Sequence, residues 1–386
     1  MRPEMGEKMG AINRRKALGA LTGAAMAAST AVSRAAPQHS ASVGPNLSRG
    51  INLSHWFAQS MNGYGVDHLA RFVTRPDIAR IATAGFTHVR LGIEPDAVFA
   101  PSGAPKLNET VTARLLEALA MITSEKLGIV LDMHPVGSSK DRYQNSEDAD
   151  RLVANWVLLA RRLAPIAPDQ LALEILNEPE PLNGETWWAL QERIVVALRE
   201  VAPKRQLVVN AGGWSGAEDL TKREPYRHDG LIYTIHHYAP LLFTHQAADW
   251  TWDVAGRIKD LAWPIAPEMA ESASAAAASS PSDRAILQDQ IARGQFTEAL
   301  LLAPLTQLAA WSESHGKLPI YVGEMGVFRG APREARLRWL AASRRAFASH
   351  GWGWALWDNS ADFGLVSRDS RQFDEATLVA LGVTRA

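Results

Sequence analysis

At 386 residues with 47% hydrophobic content, the chain can bury a large core, either as one big α/β barrel or as two ordinary domains. Its formal net charge is −1, with acids and bases interspersed, so no basic stripe marks a nucleic-acid partner and a neutral or weakly charged ligand is expected. Thirteen tryptophans supply indole faces that either pack a core or stack on the C–H faces of sugar rings.

The chain opens on Asn13-Arg14-Arg15-Lys16-Ala17-Leu18, followed by a weakly apolar stretch over 19–32 and the small pair Ala35-Ala36. This resembles a twin-arginine export signal over 1–36, cleaved near Ala35 or Ala36; a disordered, Ala-rich tail is the alternative. The stretch is too short and too rich in Gly and Ala to span a bilayer, so no membrane insertion is expected, and the expected location is periplasmic or secreted. The chain has no cysteine, so the part from 37 to 386 must draw its stability from core size.

Beyond the leader, apolar runs rich in β-branched residues predict eight strands, over 50–56, 87–93, 128–134, 171–177, 206–210, 231–238, 318–324 and 352–357. Helical periodicity is clearest between them at 109–126, 148–163, 186–201, 296–315 and 333–350. Eight alternating units predict a (β/α)8 TIM barrel, a single catalytic domain over 37–386. An open doubly wound sheet is the alternative, but no Gly-x-Gly-x-x-Gly turn follows the first strand. About eighty residues separate Tyr238 from Leu318, read as an enlarged loop after the sixth strand. Its beginning, with Phe243, Trp250 and Trp252, is aromatic enough to wall a sugar cleft, whereas the Ala/Ser run over 271–281 reads as a flexible or weakly helical surface segment. A structural loop with no ligand role fits equally well.

A barrel's chemistry sits where its strands end. The second run carries Arg90, the third His134, the fourth Asn177-Glu178, the sixth His236-His237-Tyr238, the seventh Glu324 and the eighth Trp357. Two glutamates delivered far apart in sequence to one face suit glycoside hydrolysis, where one carboxyl donates a proton while the other attacks or activates water.

This ordered set resembles glycoside hydrolase family 5, the cellulase family, over nearly the whole chain after the leader. Asn177-Glu178-Pro179 is a fairly specific part of the likeness, and Gly323-Glu324-Met325-Gly326, His236-x-Tyr238 and Trp357 complete it. The resemblance implies a retaining β-glycosidase with Glu178 as acid/base and Glu324 as nucleophile. It also implies that Arg90 and the Tyr238 hydroxyl support Glu324, that Asn177 binds the sugar 2-hydroxyl, that His134 and His236 bind hydroxyls or orient the carboxylates, and that Trp357 is the platform under the ring being cleaved. Met325 departs from the aromatic residue often found after the nucleophile, which loosens any transfer of substrate preference.

Glu94 and Glu174 are competing carboxylates, the second facing either the barrel interior or a helix. Two rival functions are a metal-dependent hydrolase built on His134, His236 and His237, and a non-catalytic carbohydrate-binding barrel; the first lacks a His-x-His pair in its first strand, and the second would normally have lost one carboxylate. The expected substrate is a polysaccharide or oligosaccharide, with an endo-β-1,4-glucanase of cellulase type first and an exo-β-glucanase or β-mannanase next. Arg49 to Phe57 offers Trp56 and Phe57 as aromatics beside the cleft. The mechanism needs no cofactor and no metal, and nothing specifies an oligomer, so a monomer is the default expectation.

Overall fold

Eight strands close on themselves in the computed structural model, which describes residues 44–180, 182, 184–366 and 371–384. The leader expected over 1–36 lies outside the described residues. The strands are β1 Arg49–Asn52, β2 His88–Ile93, β3 Gly128–Met133, β4 Leu171–Glu174, β5 Leu207–Val209, β6 Leu231–His237, β7 Ile320–Met325 and β8 Gly353–Leu356. Each pairs in parallel with the next, and β8 returns to β1 through Arg49↔Trp354, Gly50↔Ala355 and Ile51↔Leu356. The expected (β/α)8 barrel is therefore the observed fold.

Continuous apolar runs form these strands because both of their faces are covered. One face points into the barrel, where Val130, Ala172, Val208, Ile232, Tyr321 and Ala355 fill the interior. The other meets the helices outside, among them Glu109–Ser124, Ser146–Arg162, Gly184–Val201, Glu298–Ser314 and Arg333–Ser349. The helix Ser146–Arg162 shows the local logic. Asn145 caps it by accepting from Glu147 N, and Arg161 and Arg162 answer the dipole in its last turn. Leu152, Trp156 and Leu159 recur at helical spacing and are buried, and Trp156 Nε1 donates to Ile175 O at 2.9 Å, tying the helix to the end of β4.

The expected elements differ from the observed ones mainly at their ends. The fourth run is regular strand only to Glu174 rather than 177; beyond it Ile175 N still donates to Val208 O at 3.1 Å and Asn177 N to Met133 O at 2.8 Å, which fixes Asn177 and Glu178 at the barrel mouth. Trp56 and Phe57, expected beside the cleft, are instead buried. Phe57 bridges to Ile93 at the end of β2, and Trp56 Nε1 donates to Leu69 O at 2.8 Å.

The Ala/Ser run over 271–281 takes the helical one of its two expected states, flexible or weakly helical, with part of it buried. It forms the helix Ala270–Ala277, packed on a second helix, Pro281–Ala292, with Ala270, Ser274 and Ala277 buried. Small side chains let the two backbones approach closely, and Ser280 caps the second helix by accepting from Asp283 N. Arg257 grips Asp283 through two hydrogen bonds of 2.6 and 2.8 Å, and Ile265 N donates to Phe296 O.

Candidate active site

Arg90, on β2, organises the C-terminal mouth of the barrel. Its side chain is wholly buried, and each face of the guanidinium is spoken for. Nε and Nη2 donate to the two oxygens of Glu174 at 2.8 Å each, Nη1 to Glu324 Oε1 at 2.7 Å and to Asn52 Oδ1 at 3.0 Å, and Nη2 to Asn177 Oδ1 at 3.0 Å. Asp132 Oδ2 lies 3.0 Å from Nη2. Burial works against this charge, but Asp132, Glu174 and Glu324 together hold the guanidinium well above its ordinary proton affinity. Arginine rather than lysine fits because only a planar fork can serve so many acceptors at once.

Glu324 completes its partners with Tyr238, whose hydroxyl donates to Oε2 at 2.9 Å. Across the cleft, His236 Nδ1 lies 2.7 Å from Glu178 Oε1 and 3.5 Å from Glu324 Oε2. One oxygen of each carboxylate and one His236 nitrogen all lie within 4.8 Å of one another. The two glutamates are unequal. Glu324 receives a cationic and a phenolic donor and its side chain is 6% exposed, whereas Glu178, at 16%, opens further to solvent. Burial pushes the Glu178 carboxyl above its ordinary value, and Lys140, His134 and Arg90 oppose that. Burial also drives His236 down to about 4 and His134 to about 3, so both rings are neutral near pH 7. His134 Nδ1 is 2.7 Å from Asp132 Oδ2, and its ring stacks on Trp357 at 5.7 Å and 13°.

The glycines flanking Glu324 have a steric reason. A Cβ on Gly323 would sit 2.8 Å from Thr234 Oγ1, and one on Gly326 only 2.4 Å from the Trp357 carbonyl oxygen. Gly326→Ala is expected to destabilise the fold by about 1–3 kcal/mol through overpacking and to lower kcat/KM by displacing Trp357. Thermal unfolding and steady-state kinetics check this; an unchanged melting temperature with unchanged kcat/KM would refute it.

Residues 50–363 match the family described as Cellulase (glycosyl hydrolase family 5). The chain belongs to glycosyl hydrolase family 5. Similar proteins include Endoglucanase C of Acetivibrio thermocellus, 26% identical over 330 residues that cover 83% of this chain and 94% of that one. Cellodextrinase A of Ruminococcus flavefaciens is 26% identical over 313 residues, covering 78% and 82%. Among solved structures, the endoglucanase Cel5A of Thermotoga maritima superimposes with a TM-score of 0.72 at 25% identity, covering 87% of this chain and 97% of that one.

In this family 5 glycoside hydrolase the structure brings together most of the residues expected from sequence. Arg90, Asn177, Glu178, His236, Tyr238 and Glu324 form one connected cluster, and His134 and Trp357 stack beside it. Of the adjacent histidines, His236 reaches the carboxylates, while His237 stacks on Trp339 at 5.4 Å in the core. Glu174 faces the barrel interior, as one of its two expected settings, and it is the bidentate partner of Arg90. Glu94 caps the short helix Pro95–Val98 and accepts from Val136 N at 3.1 Å. The three histidines of the metal reading do not converge. Among the described residues, the group within ligand range of one another is Glu178, His236 and Glu324.

Three contributors escaped the sequence reading. Asn52 donates to Gly323 O and Leu356 O at 3.0 and 3.2 Å, pinning β7 and β8 beside Arg90. Asp132 shares Arg90 and holds His134, and its place two residues before a strand-end histidine was the available signal. Lys140, on the loop after β3, carried no motif.

Proposed function

We propose that the chain is a retaining endo-β-1,4-glucanase in which Glu324 is the nucleophile and Glu178 the general acid and base. The observation that carries this reading is the close approach of the two carboxylates, with reaching oxygens within 4.8 Å, which suits the roughly 5–5.5 Å carboxyl separation of direct attack on the anomeric carbon better than the roughly 6.5–9.5 Å of an inverting pair. In the first step a Glu324 oxygen bonds to the anomeric carbon as the glycosidic bond breaks, and the departing oxygen takes the proton of Glu178. In the second, Glu178 removes a proton from water, the water oxygen bonds to the same carbon, and the ester to Glu324 breaks. Two inversions give net retention.

The unequal surroundings of the pair support these roles. Arg90 and Tyr238 donate to both oxygens of Glu324, which suits a group that attacks as a carboxylate. Burial favours the protonated form of Glu178, which suits a donor. Asn177, held by Arg90, is available to the 2-hydroxyl, and Trp357, held flat by His134, to the sugar face. Half-exposed Trp214 and Trp250 on the loops after β5 and β6 add stacking surfaces for further rings. The endoglucanase relatives, and the Thermotoga maritima enzyme solved with cellobiose, support β-1,4-glucan as the polymer. The Thermotoga maritima enzyme has also been solved with mannotriose, which favours β-mannan as the second substrate to try. The resemblance of residues 1–36 to a twin-arginine export signal supports action outside the cytoplasm.

Product sizing tests this reading. The protein is incubated with soluble β-1,4-glucan, mixed-linkage glucan, β-1,3-glucan and mannan, each beside Glu324→Gln. A ladder of oligosaccharides from β-1,4-glucan, absent in the control, is the expected result. A single short product would replace endo with exo action, and a ladder from mannan alone would replace the polymer.

A further inference from the structure

Lys140 lies in the 3₁₀ helix Gly137–Gln144 after β3 and is only 5% exposed, an uncommon setting for an ammonium group. Its Nζ donates to the backbone carbonyl of Glu178 at 2.7 Å and sits 3.6 Å from Glu180 Oε2. The same carbonyl accepts from Glu180 N at 2.7 Å, which closes a tight turn. Glu178 has φ 38, a left-handed conformation that a non-glycine residue keeps only when its surroundings enforce it.

We propose that Lys140 is a positioning residue for Glu178: it clamps the turn that aims this carboxyl into the cleft and supplies a positive charge beside that turn. The inference rests on the acid/base reading of Glu178 given above. The groups facing Glu178 are His236 from β6, Glu324 from β7, His134 after β3, Arg90 from β2 and Glu180 from its own turn. Burial keeps both histidines neutral near pH 7, and Arg90 is already divided among Asp132, Glu174 and Glu324. Lys140 is thus the cation left to answer Glu178, with Glu180 as its second partner. Burial raises the hold of Glu178 on its proton, and Lys140 is foremost among the groups that oppose it. Removing the ammonium charge lets the carboxyl stay protonated to higher pH, so the basic limb of the rate profile moves upward.

The test compares Lys140→Met, Lys140→Arg and Glu178→Gln with the wild-type chain, measuring kcat/KM against pH on soluble β-1,4-glucan and on a dinitrophenyl β-cellobioside. The dinitrophenolate leaves without a proton, so loss of acid function spares it. Lys140→Met is expected to lose about tenfold or more on the polymer, much less on the aryl glycoside, and to move the basic limb up by roughly 1 in pH. Lys140→Arg, which keeps the charge, is expected to recover most of the rate and the wild-type limb. An unmoved basic limb in Lys140→Met, whether the rate is kept or falls equally on both substrates, overturns the proposal. Glu178→Gln with near wild-type polymer turnover overturns instead the acid/base reading on which it rests.

Discussion

Glu324→Gln is expected to lower hydrolysis of soluble β-1,4-glucan by ~10⁴-fold or more, because the amide cannot form the covalent intermediate. Glu178→Gln should lose about 10²- to 10⁴-fold on the same polymer yet retain much of the first step on an aryl glycoside whose leaving group needs no proton. Gln preserves shape at both sites; Glu178→Gln should melt close to wild type, while Glu324→Gln, which removes one of the three acidic partners of buried Arg90, should still fold. Azide separates the roles by stereochemistry. In Glu178→Ala it attacks the glycosyl enzyme and gives a β-glycosyl azide, whereas in Glu324→Ala it enters the vacated nucleophile position and gives the α-anomer. The opposite pairing of anomers would exchange the two assignments. Polymer turnover by Glu324→Gln within tenfold of wild type would end the double-displacement reading.

Arg90→Met should be the most damaging substitution to the fold among the site residues. It leaves Asp132, Glu174 and Glu324 without the one guanidinium that balances them inside the barrel. Breaking a buried ion pair from one side costs about 3–5 kcal/mol, which for a domain of this size lowers the melting temperature by roughly 4–7 °C at pH 7. The sign of the pH dependence follows from burial. Even with Arg90 present, burial pushes Asp132 up to about 6 and Glu174 above its ordinary value. Without Arg90 these carboxyls bind protons more tightly in the folded state than in the unfolded one. Their penalty is absent below the unfolded values and grows as pH rises through the folded ones. The deficit of Arg90→Met relative to wild type should therefore shrink on moving from pH 7 toward pH 5, as followed by thermal unfolding. A deficit that widens on acidification would contradict this account.

The barrel was legible because parallel strands covered on both faces write themselves as long apolar runs, and the eight runs fall within a few residues of β1 to β8. Most of the site was legible for a related reason. A polar residue that ends an apolar run, such as Tyr238 or Glu324, has few structural excuses, and the strand order puts all such ends on one face; Arg90, inside its run, stands out as a charge among apolar neighbours. What stayed hidden depends on tertiary distances that no local pattern encodes. Trp56 and Phe57 look the same in sequence whether they line a cleft or fill a core, and the packing of the segment before Leu69 sends them inward. The run over 271–281 has the composition of a linker, yet the helix Pro281–Ala292 gives its alanines a surface to bury against. Lys140 reads as an ordinary loop lysine until the turn at Glu178 is folded over it.

Arg90 also links the chemistry to the order in which the chain folds. Its partner Glu324 lies 234 positions downstream, and Asn52, which shares Arg90 Nη1, reaches Gly323 and Leu356, 271 and 304 positions away. Contacts across such sequence distances form late, because the intervening chain must first give up its freedom. The helices and the early strand pairs can assemble before β7 and β8 dock, but Glu324 has no counter-charge until they do. During refolding, helical signal should therefore return ahead of catalytic competence, and a chain halted before its last two strands would hold a buried arginine with its acidic partners on β3 and β4 but no working site.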